Sequence, residues 1–550
     1  MSGLALEEVA MRAQRGLAWA ALVGGAALLA ACGTRLHDSA FAPATVARAP
    51  EPTVAASAPS AQAAAAGVAS SAPTAGSASS APAVTVTGPQ GGGSGGSVVT
   101  TGSTGATGGD APTTPASTAP SAVAASSAKA GSAKAPYASD TGVIATTITI
   151  GNVTTKGGTF GPYTFTPQYY GARAYFADLN AHGGIDGRKV DLQALTDNGD
   201  DGSNTSAIHS LIDQSKVFAF VGNNVFSYGA ADYVQKMGVP DIGGEQISSA
   251  YSKYSHFYTL AGSGSPRDNV HSGYPDGTDF QGWQYGVFFK QVINMQYLGV
   301  VAYDESDSLK GAEALTQSFA PAGIKTKVYT VNLGLPNFAS TVAAMKNDGI
   351  DAIADALDIN GNQKICQAIE SDSTFLKQLK VKISNPNVET AQFGQLFNAT
   401  PQCANKTWII DSAANFMDPQ YPEVVHFEQA FKQYSGGFSS PFYTEWALHG
   451  WIAATMFTEA AKSCGADLTR ACVEKWMNAW PVAKPYTDGG ILDNASWQYV
   501  PESVKSDPNY KSSDCIAANR WDTTKNQWVT MADFQHNCYV TGNNKFSNHA

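Results

Sequence analysis

In the larger, C-terminal part of the chain, short apolar runs alternate with segments whose apolar residues recur at helical spacing. Ile148–Val153 is the first run, and Tyr169, Ala172, Phe176 and Leu179 then mark one face of a helix. Single strands separated by single helices predict βαβ units, in which parallel sheets carry helices on both faces. Because about 400 residues exceed one core of this kind, we expect an α/β protein with two lobes.

The same alternation continues along the chain, and the last hundred residues are expected to end in short strands around disulfides. The predicted strands are 148–153, 189–195, 217–222, 298–303, 325–331 and 351–356, and the predicted helices are 166–180, 203–214, 308–322, 338–347 and 443–462.

Residues 33–140 differ sharply in composition, because they consist mainly of Ala, Ser, Thr, Pro and Gly, with almost no aromatic or long aliphatic residues. Such a segment cannot bury enough apolar surface to offset the entropy that ordering would cost, so we expect a disordered tether. A flexible coil of about 100 residues would span roughly 50–60 Å.

An apolar run at 16–31 follows two basic residues and ends at Cys32. As a helix it would measure about 24 Å, which is shorter than the roughly 30 Å hydrocarbon core of a bilayer. It therefore predicts a signal peptide at 1–32, and a cysteine after its cleavage site resembles the bacterial lipobox, where that cysteine is lipid-modified. The alternative is an ordinary signal peptide in which Cys32 is incidental.

Because Glu7 and Glu8 do not suit the basic start of a signal peptide, Met11 is the better candidate for the initiation site.

Beyond residue 32, no segment is long and apolar enough to cross a bilayer, so we expect a lipid-anchored protein of the cell envelope, outside the cytoplasmic membrane. The formal net charge of −11 argues against nucleic acid as a partner.

The cysteines agree with an exported protein. The chain has 7, so an even number remains when Cys32 is set aside for lipid. An even set predicts disulfides, and sequence order favours Cys366–Cys403, Cys464–Cys472 and Cys515–Cys538, although other pairings stay open. None of these pairs has the CxxC spacing of a zinc or redox site.

Three motifs open the globular part. Residues 148–151 read I-T-I-G, Gly171 and Ala172 lie on the next helix, and 178–190 contain the turn G-G-I-D-G before a strand. In order and spacing these motifs resemble the periplasmic binding proteins for leucine, isoleucine and valine, and weaker matches extend the resemblance over nearly all of 147–500. The resemblance implies the type 1 periplasmic binding fold, with two Rossmann-like lobes joined by a hinge. It also implies lobes that close on a ligand and deliver it to an ABC importer.

Composition and resemblance together predict three parts in the chain. The signal peptide, 1–32, and the tether, 33–140, precede a solute-binding domain at 141–550. We expect its N-lobe at about 147–280 with a return segment, and its C-lobe at about 281–480.

Ligands of open α/β sheets bind beyond the carboxyl ends of the strands, so the residues that follow each strand are the candidates. In the N-lobe these candidates lie in an aromatic loop and in the segments after the third and fourth strands: Phe160, Tyr163, Phe165, Asn224, Phe226, Ser227, Glu245 and Gln246. The resemblance implies that Ser227, with Asn224, holds a ligand carboxylate at a helix N-terminus. The alternative is that both residues only cap the helix.

Glu245 and Gln246 depart from the small and hydroxyl-bearing residues that the resembled family has after this strand. The departure argues against a simple branched-chain amino acid as ligand. Because a buried carboxylate is costly unless it is paired, we expect Glu245 to face solvent or a cationic ligand group.

In the second lobe the resemblance places ligand contacts at Asp304, Ser308, Asp355 and Asp358. Ser308 and Asp358 stand where that family has aromatic contacts, so apolar stacking weakens and acidic character increases. An ammonium group on the ligand would suit these carboxylates, and the alternative is that they are solvated loop acids. We therefore expect a small polar ligand, an amino acid or a similar zwitterion.

The sequence carries no G-x-S-x-G, P-loop or H-E-x-x-H motif, and its S-x-x-K match at Ser126–Lys129 lies in the tether. His449 is expected to pack in the core rather than to bind a metal. We expect no catalytic residue, metal or cofactor. The leading prediction is a solute-binding protein that works with an ABC permease, and the alternative is a ligand-sensing receptor or scaffold module of the envelope without transport.

Overall fold

The computed structural model describes most of the globular part of the chain. The described residues are 135–245, 247–248, 250–260, 278–280, 284–411, 413–478, 488–492, 513–534, 536–540 and 545–547. All of them belong to one compact unit, Ala130–Ala550. The signal peptide with Cys32, nearly all of the tether and Gln246 lie outside the described residues. None of the helices that the structure describes combines the length and the apolar character that crossing a bilayer needs.

The N-lobe is built on a parallel sheet of five strands. These are β1 (Thr147–Thr155), β2 (Lys189–Asp197), β3 (Phe220–Val221), β4 (Asp241–Gly244) and β5 (Phe257–Thr259). Their order is β2-β1-β3-β4-β5, so the strand order reverses between β1 and β3. Both faces of β1 are covered: Ile148 and Ile150 pack into one core cluster and Val153 into another. The predicted βαβ pattern is confirmed.

Short helices connect these strands. They are α1 (Pro167–Ala181), α2 (Asp201–His209), α3 (Ala231–Lys236) and α4 (Ala250–Lys253), with a 3₁₀ turn at Gly158–Phe160 and a π-helical turn at Ser210–Gln214. Asp200 caps α2, because its side chain accepts a hydrogen bond from the Ser203 amide. The third predicted run, 217–222, is shorter than expected, because only Phe220 and Val221 are paired as strand.

The C-lobe repeats this topology in a larger sheet. Its strands are β7 (Tyr297–Tyr303), β8 (Lys325–Val331), β9 (Ala352–Ala356), β10 (Val381–Ser384), β11 (Thr407–Asp411), β13 (Ala517–Asp522) and β14 (Gln527–Ala532). The order is β8-β7-β9-β10-β11-β13-β14, and its first five strands are parallel, with a reversal between β7 and β9. Strands β13 and β14 add to β11 in antiparallel orientation, so the sheet continues past the expected C-lobe end at about 480.

The remaining elements comprise helices around this sheet, helices that return to the N-lobe, and two small ribbons. The helices are α5 (Gln284–Ile293), α6 (Ser306–Phe319), α7 (Phe338–Asp348), α8 (Ile359–Ser371), α9 (Ser373–Gln378), α10 (Phe393–Leu396), α11 (Pro401–Ala404), α12 (Pro422–Ser435), α13 (Glu445–Cys464) and α14 (Arg470–Asn478). The 3₁₀ turns are Ala320–Ala322, Pro386–Val388, Gly437–Ser439, Gly465–Asp467 and Asp488–Gly490. The ribbons pair β6 (Thr278–Phe280) with β16 (Lys545–Ser547) and β12 (Ser513–Cys515) with β15 (Cys538–Val540).

Helix α13 is the main return segment, because it packs against α1 of the N-lobe. Two glycines allow the helix backbones to touch. A Cβ atom on Gly171 would lie 1.7 Å from the carbonyl oxygen of Ala447, and one on Gly450 would lie 1.8 Å from that of Gln168. The Gly171-Ala172 motif of the sequence thus reflects a close helix–helix contact.

Two of the three predicted disulfides are confirmed. Cys366 joins Cys403 across a sequence separation of 37, and Cys464 joins Cys472 across a separation of 8. The backbones of Cys515 and Cys538 lie opposite each other in the β12–β15 ribbon. Their side chains are outside the described part of the structure, so this third disulfide stays a prediction.

Candidate functional site

The strand-order reversal in the N-lobe opens a crevice at the carboxyl ends of β1 and β3. The segment after β3 is fixed across the end of β1, because Thr154 and Asn224 form a bridge and the Phe226 amide donates to Thr155 Oγ1 over 3.0 Å. The Thr155 hydroxyl itself donates to Asp197 over 2.6 Å. The residues that the sequence predicted after β1 and after β3 therefore lie side by side.

Three predicted aromatic residues form an apolar cluster at this crevice. The ring centroid of Phe160 lies 4.2 Å from that of Phe226 and 5.2 Å from that of Phe165. The Phe165 ring stacks on Trp446, the second residue of α13, with a centroid distance of 5.6 Å. Leu333, which follows β8 of the C-lobe, also packs against this cluster. Both lobes therefore contribute to one apolar wall.

Buried polar groups beside this wall have no hydrogen-bond partner. Asn224 is fully buried, yet neither its amide nitrogen nor its amide oxygen is hydrogen-bonded, and the indole nitrogen of Trp446 is also unpartnered. Buried polar atoms in native proteins nearly always have a partner in the protein, in water or in a ligand. The crevice thus combines apolar rings with one acceptor oxygen and two donor nitrogens that the chain itself leaves unused.

Two other predicted N-lobe residues lie apart from the aromatic cluster. The Tyr163 side chain is 54% exposed, and its ring lies 5.7 Å from that of Phe442. The Ser227 hydroxyl donates a short hydrogen bond to Asp201, the first residue of α2. A role in ligand binding stays a prediction for both residues.

In the C-lobe, Asp304 and Ser308 also hold local structure together. Asp304 is exposed, and its carboxylate accepts hydrogen bonds from the side chain of Asn332 and the amide of Leu333, each over 2.9 Å. These bonds lower the pKa of Asp304 below its usual value. The Ser308 hydroxyl accepts from the Tyr303 amide over 3.0 Å and donates to the last carbonyl of β9.

Two buried aspartates, Asp355 within β9 and Asp358 shortly after it, have hydrogen-bond partners within the chain. Asp355 forms an ion pair of 2.9 Å with Lys382, in which both side chains are fully buried, and it also accepts from Asn362. Asp358 caps α8 and accepts from the Tyr303 hydroxyl over 2.5 Å. Each carboxylate thus already has structural partners, and its contact with a ligand stays a prediction.

A second group of polar residues lies where the two lobes meet, and we call it the interlobe cluster: Glu245, Glu389, Asp411, Glu445 and His449. His449 Nδ1 lies 2.5 Å from Glu245 Oε1, and His449 Nε2 lies 2.9 Å from Asp411 Oδ2 and 3.8 Å from Glu445 Oε1. Glu245 follows β4 of the N-lobe, whereas Asp411 ends β11 of the C-lobe. All five residues are at most 5% exposed.

These positions correct one expectation about Glu245. Its carboxylate does not face solvent, and the cation beside it is the imidazole of His449, which belongs to the chain itself. Burial lowers the pKa of His449, but the charges of Asp411 and Glu245 and their hydrogen bonds raise it well above its usual value. An imidazolium that donates from both ring nitrogens therefore satisfies both carboxylates. The expectation that His449 is buried in the core is confirmed.

The other two carboxyl groups of the interlobe cluster are poorly satisfied. Both oxygens of Glu389 and Oε1 of Glu445 lack a hydrogen-bond partner, although the side-chain amide of Asn519 lies near Glu389. Burial raises the pKa of Glu389 and Glu445 well above the usual range, and the charge of Asp411 adds to both increases.

Sequence reasoning missed five residues that the structure brings to these sites: Leu333, Glu389, Asp411, Trp446 and Glu445. The signal that could have found some of them is local, because Glu445 and His449 are spaced i and i+4 on one helix and share its face. No comparable signal joins Asp411 or Glu389 to that helix, since the contact depends on how the chain crosses between the lobes.

The globular part of the chain matches a known protein family. The family profile described as periplasmic binding protein matches residues 147–496. Comparison with curated proteins returns no match.

Several solved structures share the fold at low sequence identity. An extracellular ligand-binding receptor from Verminephrobacter eiseniae is 16% identical with a TM-score of 0.52, and the match covers 70% of this chain and 99% of that one. A fatty acid ABC transporter substrate-binding protein from Thermomonospora curvata is 15% identical with a TM-score of 0.54, covering 74% and 95%. A branched-chain amino acid transporter substrate binding protein from Streptococcus pneumoniae, in complex with isoleucine, is 18% identical with a TM-score of 0.51, covering 70% and 99%.

Proposed function

Because the chain belongs to the periplasmic binding protein family, we propose that it is an extracytoplasmic solute-binding protein that captures a small ligand between its lobes. In this proposal the lobes close on the ligand, and the closed protein delivers it to the permease of an ABC importer. The proposal includes a lipid anchor at Cys32, which the pattern of residues 16–32 supports.

The observation that carries the proposal is the unused hydrogen-bonding capacity at the N-lobe crevice. Asn224, which bridges to Thr154 at the end of β1, and Trp446, which belongs to the aromatic cluster, are buried with side-chain polar atoms unpartnered. A ligand with one polar end would satisfy the amide and the indole N–H, while its apolar part would lie against the rings. Lobe closure would bury this ligand, because Leu333 of the C-lobe meets the same rings.

The ligand class that fits this arrangement is a small zwitterion or carboxylate with an apolar part, and an amino acid is the leading candidate. Similar structures are described as binding isoleucine or fatty acid, which share a carboxylate and a hydrocarbon portion. On the C-lobe side the exposed carboxylate of Asp304 favours the amino acid, because an ammonium group would suit it.

The experiment is a titration of the full chain by isothermal calorimetry and by tryptophan fluorescence, for which Trp446 is an internal reporter. The panel contains isoleucine, polar amino acids, a medium-chain fatty acid and a sugar. We expect an amino acid to bind, and the Asn224→Ala variant to lose roughly 10-fold in affinity through the lost hydrogen bonds.

Asn405→Ala is the matched control. Asn405 is exposed and precedes β11, so it lies at the amino-terminal end of that strand, whereas the predicted ligand contacts lie at the carboxyl ends of the strands. Its affinity should equal that of the unmodified chain. Equal affinities for Asn224→Ala and Asn405→Ala would place the ligand elsewhere. Ligand binding without ligand uptake by cells that contain the chain together with its partner ABC permease would contradict the delivery step.

A further inference from the structure

The interlobe cluster concentrates more negative charge than its own groups can balance. If all four carboxyl groups were ionised, four negative charges would face the one positive charge of a doubly protonated His449. All of these side chains are 5% exposed or less, so water cannot screen the excess. Burying an uncompensated charge is expensive, and proteins avoid it by adding protons or by binding a cation.

The unpartnered atoms show where a cation would be accepted. Glu445 Oε1 is fully buried, has no hydrogen-bond partner and points toward His449 Nε2 at 3.8 Å. Glu389 is also fully buried, both of its carboxylate oxygens are unpartnered, and its backbone carbonyl accepts a hydrogen bond from the Glu445 amide over 2.9 Å. Orphaned buried polar atoms at this density indicate an additional group among them.

Three donor atoms of the cluster lie close together. His449 Nε2 lies 2.9 Å from Asp411 Oδ2 and 3.8 Å from Glu445 Oε1, and all three atoms lie within 4.8 Å of one another. Ligands at about 2.0–2.2 Å from a common first-row ion are about 3–4 Å apart, so the two separations from His449 Nε2 are those of atoms that share an ion. Glu445 and His449 need no rearrangement of the backbone to share an ion, because their i, i+4 spacing places them on one face of α13.

Glu245 occupies the position of an orienting carboxylate. In metal sites, the imidazole nitrogen that does not bind the ion usually donates to a carboxylate, which fixes the tautomer and the ring orientation. The Nδ1 atom of His449 makes this contact with Glu245 over 2.5 Å, so that Nε2 is directed at Asp411 and Glu445.

We propose that Asp411, Glu445 and His449 bind a divalent transition-metal ion, which replaces the proton on His449 Nε2 and releases it to solvent, with Glu389 as a further carboxylate beside the ion and Glu245 as the residue that orients His449. A set of one imidazole and carboxylates, without thiolate, suits Zn²⁺ or Mn²⁺. Asp411 belongs to the C-lobe sheet, whereas Glu445 and His449 lie on the helix that packs against the N-lobe. The ion therefore links the two lobes where they meet, independently of which ligand binds at the N-lobe crevice.

The first test uses the full chain, stripped with a chelator and then dialysed against Zn²⁺ or Mn²⁺, with elemental analysis of the retained metal. We expect one ion per chain after gel filtration and a rise of several degrees in Tm at saturating metal. A chain that retains no stoichiometric ion and shows no shift in Tm overturns the proposal, and protons alone then balance the cluster.

Variants assign the ion to the cluster. Glu445→Gln keeps the shape of the side chain but removes a charged ligand, and Glu245→Gln alters only the orienting contact. We expect Glu245→Gln to weaken metal affinity at least 10-fold, the range known for outer-shell residues, and Glu445→Gln, which removes a ligand, to weaken it at least as much. His256→Gln is the matched control, since it removes a half-buried His–Glu474 pair outside the cluster, and its metal affinity should not change.

Near-UV circular dichroism checks that each variant is folded. If Glu445→Gln does not fold, Glu245→Gln and the unmodified chain still decide the question. Metal binding that is the same in the unmodified chain and in both cluster variants would place the ion elsewhere and overturn the proposal.

Discussion

The two lobes share a strand order but use the carboxyl ends of their sheets in opposite ways. At the N-lobe crevice, Asn224 and Trp446 are buried with side-chain polar atoms unpartnered. At the matching place in the C-lobe, Asp355 pairs with Lys382, and Asp358 caps α8 and accepts from Tyr303. At the strands beside the reversal in strand order, the N-lobe has hydrogen-bonding capacity left for a ligand, whereas Asp355 and Asp358 of the C-lobe are satisfied by their own chain.

The comparison teaches that an equivalent position in a repeated fold does not imply an equivalent role. A polar residue after a strand can serve a ligand only if its hydrogen bonds are not already committed to the protein. By this criterion the C-lobe residues contribute chiefly to stability, and the N-lobe residues chiefly to binding. Substitutions at the two ends should therefore separate these two properties.

The largest effect is expected for Asp355→Ala in the C-lobe. The change leaves the ammonium group of Lys382 buried without its ion-pair partner, and breaking a fully buried pair costs about 3–5 kcal/mol. The free energy of unfolding should fall by about this amount in urea denaturation at pH 7.

The matched control is the double variant Asp355→Ala with Lys382→Met, which removes both charges. Because a well-packed apolar replacement of a buried pair is often neutral, the double variant should recover most of the lost stability. If it were as unstable as Asp355→Ala alone, the loss would come from the cavity or from Asn362, and the ion pair would not be its cause.

An intermediate effect is expected for Asp358→Ala. Its carboxylate caps α8 through the Asn360 and Gly361 amides and also accepts from the buried Tyr303 hydroxyl. Loss of a cap costs about 1 kcal/mol, and an orphaned buried hydroxyl adds about 1–3 kcal/mol. Asp358→Asn retains an acceptor, so it should be the milder change in the same denaturation series. Equal stability of all three chains would show that α8 does not need this cap.

Much of the fold was predictable from local pattern. Apolar periodicity located β1, β2, β7, β8 and β9 to within two residues, because buried parallel strands are continuous apolar runs. The placement of β13 and β14 was not predictable, because their alternating residues do not specify which sheet edge they join. The return of α13 to the N-lobe depends on the tight Gly171–Ala447 contact, which is visible only in three dimensions.

The candidate site was predictable only in part. The rule that ligands lie beyond strand ends selected Phe160, Phe165, Phe226 and Asn224, which the structure brings to one crevice. The same rule could not distinguish a side chain whose hydrogen bonds are already made within the protein, such as Asp355, from one whose polar atoms remain available to a ligand. That distinction depends on partners far along the chain, and sequence spacing does not reveal them.

The smallest effect on stability is expected for Asn224→Ala, the N-lobe counterpart of the aspartate substitutions. The buried amide of Asn224 has no hydrogen-bond partner, so removing it loses little beyond packing contacts and relieves the cost of burying an unsatisfied group. We expect the free energy of unfolding without ligand to change by less than about 1 kcal/mol. At a fixed ligand concentration, the added stability should be smaller for the variant than for the unmodified chain, because the variant binds the ligand more weakly. Ser227→Ala provides the reference, since its hydroxyl already donates to Asp201, and its ligand affinity should fall less than that of Asn224→Ala. A loss of several kcal/mol for Asn224→Ala in the absence of ligand would contradict the comparison, because the N-lobe end would then be as structural as the C-lobe end.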